Sequence, residues 1–324
     1  MIEQGFRFRR LRRNERLRAL VHETSLDASR LILPVFVEEG IDRPVLILSM
    51  PGVVRHPEAA LGEVVQRARD LGIAAVMLFG VSHCKDACGS DTWNPEGLLA
   101  RMIQAAKHAA PDMLVISDNC FCEYTDHGHC GVLEGEQVLN DPTVVNLVRQ
   151  VLNAAHAGVD MIAPSGMMDG MVAAIREGLD AAGFSHLPVM SYSTKFASAF
   201  YGPFRDAVDS SFKGNRATYQ LDAGNAREAL AESLRDEAEG ADILMVKPGI
   251  AYLDVLAAIR ANCTRPLAVY QVSGEYAMIK AAAAAGLMDE RALVMETMTA
   301  FRRAGADMIL SYFAEDVARW LREG

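Results

Sequence analysis

The chain has 324 residues, of which 51% are hydrophobic and 23% charged, so it suits two ordinary domains or one large, well-packed α/β domain. Its net charge of −10 argues against nucleic acid as the main partner, and no apolar run approaches the ~20 residues that span a bilayer. The charged N-terminus has no apolar run behind it, so no secretory signal is read and a reducing cytoplasm is the expected compartment.

The first segment, FRFRRLRRNERLRAL (6–20), breaks the acidic trend with a run of arginines. Residues 1–30 read as an N-terminal arm. Nucleic acid or an anionic membrane is one class of partner for such a run; on an acidic body, an acidic neighbouring subunit fits better. Next come eight short, near-continuously apolar runs: ILPVFV (32–37), AAVMLFG (74–80), LVISDN (114–119), MIAPSG (161–166), PVMSYS (188–193), ILMVKPG (243–249), PLAVYQVSG (266–274) and MILSYFA (308–314). Apolarity without alternation is the mark of parallel strands buried on both faces. VLILSM (45–50) is a ninth such run, assigned to a flap or hairpin beside the first connection. Amphipathic stretches separate the strands, with Pro142 early in one and Gly158 and Gly305 after the last turns of two. Eight βα units over residues 31–324 predict a single (β/α)8 TIM barrel. A doubly wound sheet is the alternative, but no Gly-x-Gly-x-x-Gly turn follows the first strand.

A barrel places its chemistry at the C-terminal ends of its strands. Strands three to eight end in or run into Asp118, Ser165, Lys195, Lys247, Ser273 and Tyr312, which should converge on one pocket. Only six of the 32 basic residues are lysines, and Lys247 sits between Val246 and Pro248 in an apolar run. Burial lowers a lysine pKa and frees the amine as a nucleophile, which arginine cannot match. A single such lysine is equally well explained by a rim ion pair; two on adjacent strand ends point to Schiff-base chemistry.

After the third strand, DNCFCEYTDHGHC (118–130) spaces Cys120, Cys122 and Cys130 as Cys-x-Cys-x7-Cys. A bridge across one residue is strained, which weakens a disulfide reading. Three thiolates suit zinc with one open position, as in a catalytic site, unless His127 or His129 closes it as a structural one; redox cysteines are the third possibility. Residues 196–220 read as a lid whose Arg205, Lys213 and Arg216 could clamp a carboxylate.

Taken in order, DNCFCEYTDHGHCG, MIAPSGMMDG, SYSTKFASAFYGPFRDA, ADILMVKPG, YQVSGEYAMI and SYFAEDVARWL resemble the porphobilinogen synthase, or δ-aminolevulinic acid dehydratase, family. The similarity runs from the arm through MPGVVRHP (50–57) to the C-terminus. It implies a lyase that condenses two molecules of 5-aminolevulinate to porphobilinogen, toward haem and other tetrapyrroles. It also implies Schiff bases at Lys247 for the propionate-side substrate and at Lys195 for the acetate-side one. Ser273 and Tyr312 would hold the first carboxylate; Arg205, Arg216 and Gln220 the second; Asp118 and Ser165 would face the first amino group. Cys120, Cys122 and Cys130 match the zinc-dependent branch, and Glu232 the place where some members bind magnesium as an activator. A homo-octamer held by the arm is implied as well. Cys84, Cys88 and Cys263 match no family role. Asn215, where an acid is usual, and a missing proline in DAGNARE (222–228) depart from the pattern at the lid. The runner-up reading is an aldolase-like lyase with one Schiff-base lysine and a structural zinc.

Overall fold

The computed structural model describes residues 7–208 and 216–323. Lys213 and Asn215 lie outside the described residues.

Eight parallel strands form the core: β1 (Leu31–Glu38), β2 (Ala75–Val81), β3 (Leu114–Asn119), β4 (Met161–Pro164), β5 (Met190–Lys195), β6 (Ile243–Lys247), β7 (Leu267–Gln271) and β8 (Met308–Ser311). Their order is β4-β3-β2-β1-β8-β7-β6-β5. The ring closes between β4 and β5 through one parallel bridge, Ile162 to Val189, with the Ile162 N–H donating to the Pro188 carbonyl at 3.1 Å. The result is the TIM barrel expected from the eight apolar runs. Every residue of β2, β5, β6 and β7 is buried, as strands covered by helices outside and side chains inside must be.

Helices return each strand to the next, and their ends follow the local chemistry. Asp289 caps Glu290–Ala304 by accepting the Ala292 N–H at 2.7 Å, and Gly305 closes the same helix in the left-handed region at φ 117°. Pro142 falls in the first turn of Asn140–His156. The ninth apolar run forms only a two-residue strand, Val45–Leu46, antiparallel to Val54–Pro57, which in turn runs parallel to the end of β1. It is therefore a flap, as read. Residues 8–12 and Glu15–Leu20 of the arm are short helical turns with no buried residue.

One irregularity positions the site. Along β5 and β6, Leu244 pairs with Ser191 and Val246 with Thr194, so Tyr192 and Ser193 together oppose Met245 alone. This bulge makes Ser193 and Thr194 face the same side, where both hydroxyls meet Ser233 Oγ on helix Ala226–Glu239 at 3.2 and 2.6 Å. Tyr192 and Lys195 consequently both face the barrel interior. Regular alternation from Tyr192 would have turned Lys195 outward onto that helix.

Candidate active site

The bulge brings Lys195 into register with Lys247 as its direct neighbour across β5 and β6. Both amines are buried. Lys247 Nζ stands 4.4 Å from the ring centre of Tyr270, 5.1 Å from Tyr192, and 5.3 Å from Tyr201 and from Phe204. Burial in this aromatic box, reinforced by the charge of Lys195, lowers the Lys247 pKa to about 7. Lys195 Nζ donates to the Ser165 carbonyl at 2.6 Å. Burial pulls its pKa down as well, but the sulfurs of Cys130 and Cys120 outweigh that and hold the proton on.

Asp118 ends β3 on the same side. Its Oδ2 accepts from Ser165 Oγ at 3.1 Å, while its buried Oδ1 has no hydrogen-bond partner. Burial raises its pKa, and the two lysines counter that only in part. Thus burial pushes Asp118 and Lys247 toward their uncharged forms together.

The three predicted cysteines form one buried cluster. Their sulfurs lie within 4.8 Å of one another, with Cys120 and Cys122 at 3.3 Å. Tetrahedral zinc at about 2.3 Å from each sulfur needs them somewhat under 4 Å apart, so the donor set fits such an ion by softness and comes close to it in spacing. Hydrogen bonds from Cys120 and then Cys122 lower the pKa of Cys130. Neither histidine completes the set. His127 uses Nδ1 to accept the His129 N–H at 3.0 Å and its Nε2 lies 3.2 Å from the Ala87 carbonyl, while His129 Nδ1 lies 3.3 Å from Tyr219 Oη. All six cysteines are free thiols, and Cys84, Cys88 and Cys263 fall outside this cluster.

A cavity of about 290 Å³ joins these groups, lined by Asp118, Ser165, Lys195 and Lys247 and by Arg205, Arg216 and Gln220 of the lid. The described ends of the segment read as a lid are stapled together: Leu221 N–H donates to the Lys195 carbonyl at 3.0 Å and Ala197 N–H to the Leu221 carbonyl at 2.8 Å. Arg216 also donates to the Gly128 carbonyl at 2.9 Å, tying the lid to the cysteine loop. Neither Ser273 nor Tyr312 lines this cavity, and Tyr312 lines a separate one of about 370 Å³. Tyr312 Oη lies 2.8 Å from Tyr270 Oη, and Ser273 Oγ donates to the Phe200 carbonyl at 3.3 Å. Glu232 lies elsewhere, in a second cavity of about 300 Å³ lined also by Asp169, Glu228 and Asp236, which shares only Gln220 with the first.

Two groups went unforeseen. Glu123, between Cys122 and Cys130 in the sequence, is buried against the same cavity and accepts from Cys122 Sγ at 3.2 Å. Burial and the charge of Asp118 push its pKa up to about 7. Its place inside the cysteine motif was the available signal. Gln150 donates to the Cys120 carbonyl at 2.8 Å from a helix position thirty residues downstream, and nothing local to its sequence marks it.

A sequence model of the delta-aminolevulinic acid dehydratase family matches residues 5–320. The delta-aminolevulinic acid dehydratase of Escherichia coli is 55% identical over 310 residues, covering 96% of each chain, and that of Synechococcus elongatus is 50% identical over 318 residues, covering 97% of this chain and 98% of that one. The crystal structure of the Toxoplasma gondii enzyme, in complex with its product porphobilinogen, superposes with a TM-score of 0.97 at 46% identity, covering 100% of this chain and 93% of that one. The chain belongs to the delta-aminolevulinic acid dehydratase family.

Proposed function

We infer that this cavity condenses two molecules of 5-aminolevulinate into porphobilinogen with loss of two waters. The observation that carries the reading is the side-by-side placement of Lys195 and Lys247 in one buried cavity beside three sulfurs.

Lys247, freed of its proton near neutral pH, attacks one substrate ketone and expels water to form an imine. The protonated imine sits among the four aromatic rings, whose faces stabilise the cation while excluding water. Lys195, once it has given up the proton that the nearby sulfurs of Cys130 and Cys120 favour, forms the second imine with the other substrate. Attack of the carbon beside one imine on the other imine carbon forms the carbon–carbon bond. Attack of an amine on the remaining imine carbon forms the ring carbon–nitrogen bond and releases that lysine; elimination releases the other. Two waters leave and both amines return. Holding both substrates on register partners makes the bond-forming steps intramolecular, worth effective molarities of about 10⁵ M or more. Ser273 and Tyr312 would hold one carboxylate, Arg205, Arg216 and Gln220 the other, and Asp118 with Ser165 would orient an amino group.

Cys120, Cys122 and Cys130 would hold zinc, which when bound supplies Lewis acidity to the second substrate's amine or to water. Glu232 would hold an activating magnesium in the second cavity, where burial and then Asp169 raise its pKa. The arm exposes Leu11 and Leu20 at 50% and 80%, which supports a role in holding a homo-octamer together in the cytoplasm.

Incubation with 5-aminolevulinate and borohydride, followed by peptide mapping, tests the reading. Label at Lys247 supports it, whereas label only on surface lysines, or none, overturns it. Chelation is expected to abolish porphobilinogen formation and zinc to restore it; an undiminished rate in the chelated protein would remove the metal from the chemistry.

A further inference from the structure

We propose that Glu275 is a positioning residue that sets the reach of Lys247 toward the bound substrate. This rests on the assignment of Lys247 as an imine-forming amine.

Glu275 lies in the first turn of helix Ser273–Ala284 and has no exposed surface. Its Oε2 accepts the Val272 N–H at 2.8 Å and the Gly249 N–H at 3.3 Å, and its Oε1 accepts the Ile250 N–H at 2.5 Å. The bond to Val272 is the ordinary return bond of a capping box and needs no further explanation. The other two are not local. They cross from the end of β7 to the turn that follows β6, directly after Lys247 and Pro248. Proline carries no N–H, so Gly249 and Ile250 present the first donors beyond the lysine.

A buried carboxylate is costly, and here backbone N–H groups offset that cost only in part, burial still pushing the Glu275 pKa up to about 7. Capping this helix alone needs far less. What the carboxylate adds is a strap between two strand ends: one delivers Lys247, the other Ser273. The turn is held on its remaining sides too. A side chain on Gly249 would come within 2.6 Å of the Phe301 ring, and the Lys247 carbonyl accepts from Phe196 N–H at 3.0 Å and Tyr201 Oη at 3.3 Å. Tied to β5 on one side and β7 on the other, Lys247 has a fixed distance both to Lys195 and to the group that would hold the carboxylate of its own substrate. Loss of that strap lets the turn relax without touching Lys195.

The test compares borohydride trapping of 5-aminolevulinate at each lysine in the wild type, in Glu275→Gln, which keeps the reach but loses the charge, and in Glu275→Asp, which keeps the charge but shortens the reach. Val294→Ala, a buried change in the outer helix Glu290–Ala304, controls for general destabilisation. Both Glu275 variants are expected to label Lys247 about tenfold more slowly, the loss of roughly one charge-assisted hydrogen bond, with Lys195 labelling within about twofold and KM raised. Val294→Ala should lower Tm and leave the labelling ratio alone. Equal slowing at both lysines, or the same ratio change in Val294→Ala, overturns the proposal. If neither Glu275 variant folds, amide exchange in the wild type decides: Gly249 and Ile250 should be protected to the level of the β6 core, and rapid exchange there overturns it. A wild type that does not label Lys247 at all refutes instead the functional reading beneath it.

Discussion

Lys247→Ala is expected to remove porphobilinogen formation almost entirely, lowering kcat by about 10⁴-fold or more, because no other buried amine can take its place at the aromatic box. Lys247→Arg should do no better, since a guanidinium holds its proton at any working pH. The pH dependence follows from the lowered pKa, about 7, whose first cause is burial. Above that value the amine is free; below it, the rate of imine formation should fall about tenfold per pH unit, read by single-turnover trapping. The same shift has a sign for stability. Between about 7 and the ordinary value of 10.5, the unfolded chain binds a proton at Lys247 that the folded chain does not. This residue's contribution to stability therefore rises with pH across that window and is least favourable below it. Lys247→Met should consequently raise Tm at neutral pH while abolishing turnover, which a melting curve beside an activity assay would reveal. A lower Tm would contradict the burial argument.

Lys195→Ala separates the two-lysine condensation from a one-lysine aldolase-like reaction. The first demands a loss of about 10³-fold or more in porphobilinogen formation with Lys247 still trapped by borohydride; the second leaves substantial turnover. Because the Lys195 amine hydrogen-bonds to the Ser165 carbonyl and otherwise faces the cavity, the cysteine sulfurs and the Tyr192 ring, truncation should leave the barrel folded. Retained turnover with an unchanged Lys247 label would leave Lys195 no covalent role.

Fold and site were legible in the sequence to different depths. All eight apolar runs became barrel strands, because runs this short, rich in β-branched residues and alternating with amphipathic stretches, suit strands buried on both faces better than helices. Their ends were less legible. Ser273 was placed at the close of a strand but opens a helix, and Tyr312 lies just past β8. Polar residues at such boundaries serve equally as strand ends and as helix starts. The cysteines were legible as a cluster because they share one loop, yet spacing left the histidines open; only the partners of His127 and His129 show them otherwise engaged. Convergence of Lys195 with Lys247 was inferred from strand order, whereas the bulge that makes it possible has no local signature: Ser193 and Thr194 look like any other strand residues. Gln150 and Glu275 act across elements, and one-dimensional reading sees neither their targets nor their reach.

The irregularity in β5 lets this strand carry one residue more than its neighbour and still present Lys195 to the interior. Removing Ser193 alone would restore plain pleating and still leave Lys195 facing the interior opposite Lys247, because Thr194 would then take the single outward position between Tyr192 and Lys195. Such a deletion variant, folded and still trapped by borohydride at both amines, would show that the bulge absorbs one surplus residue in a strand.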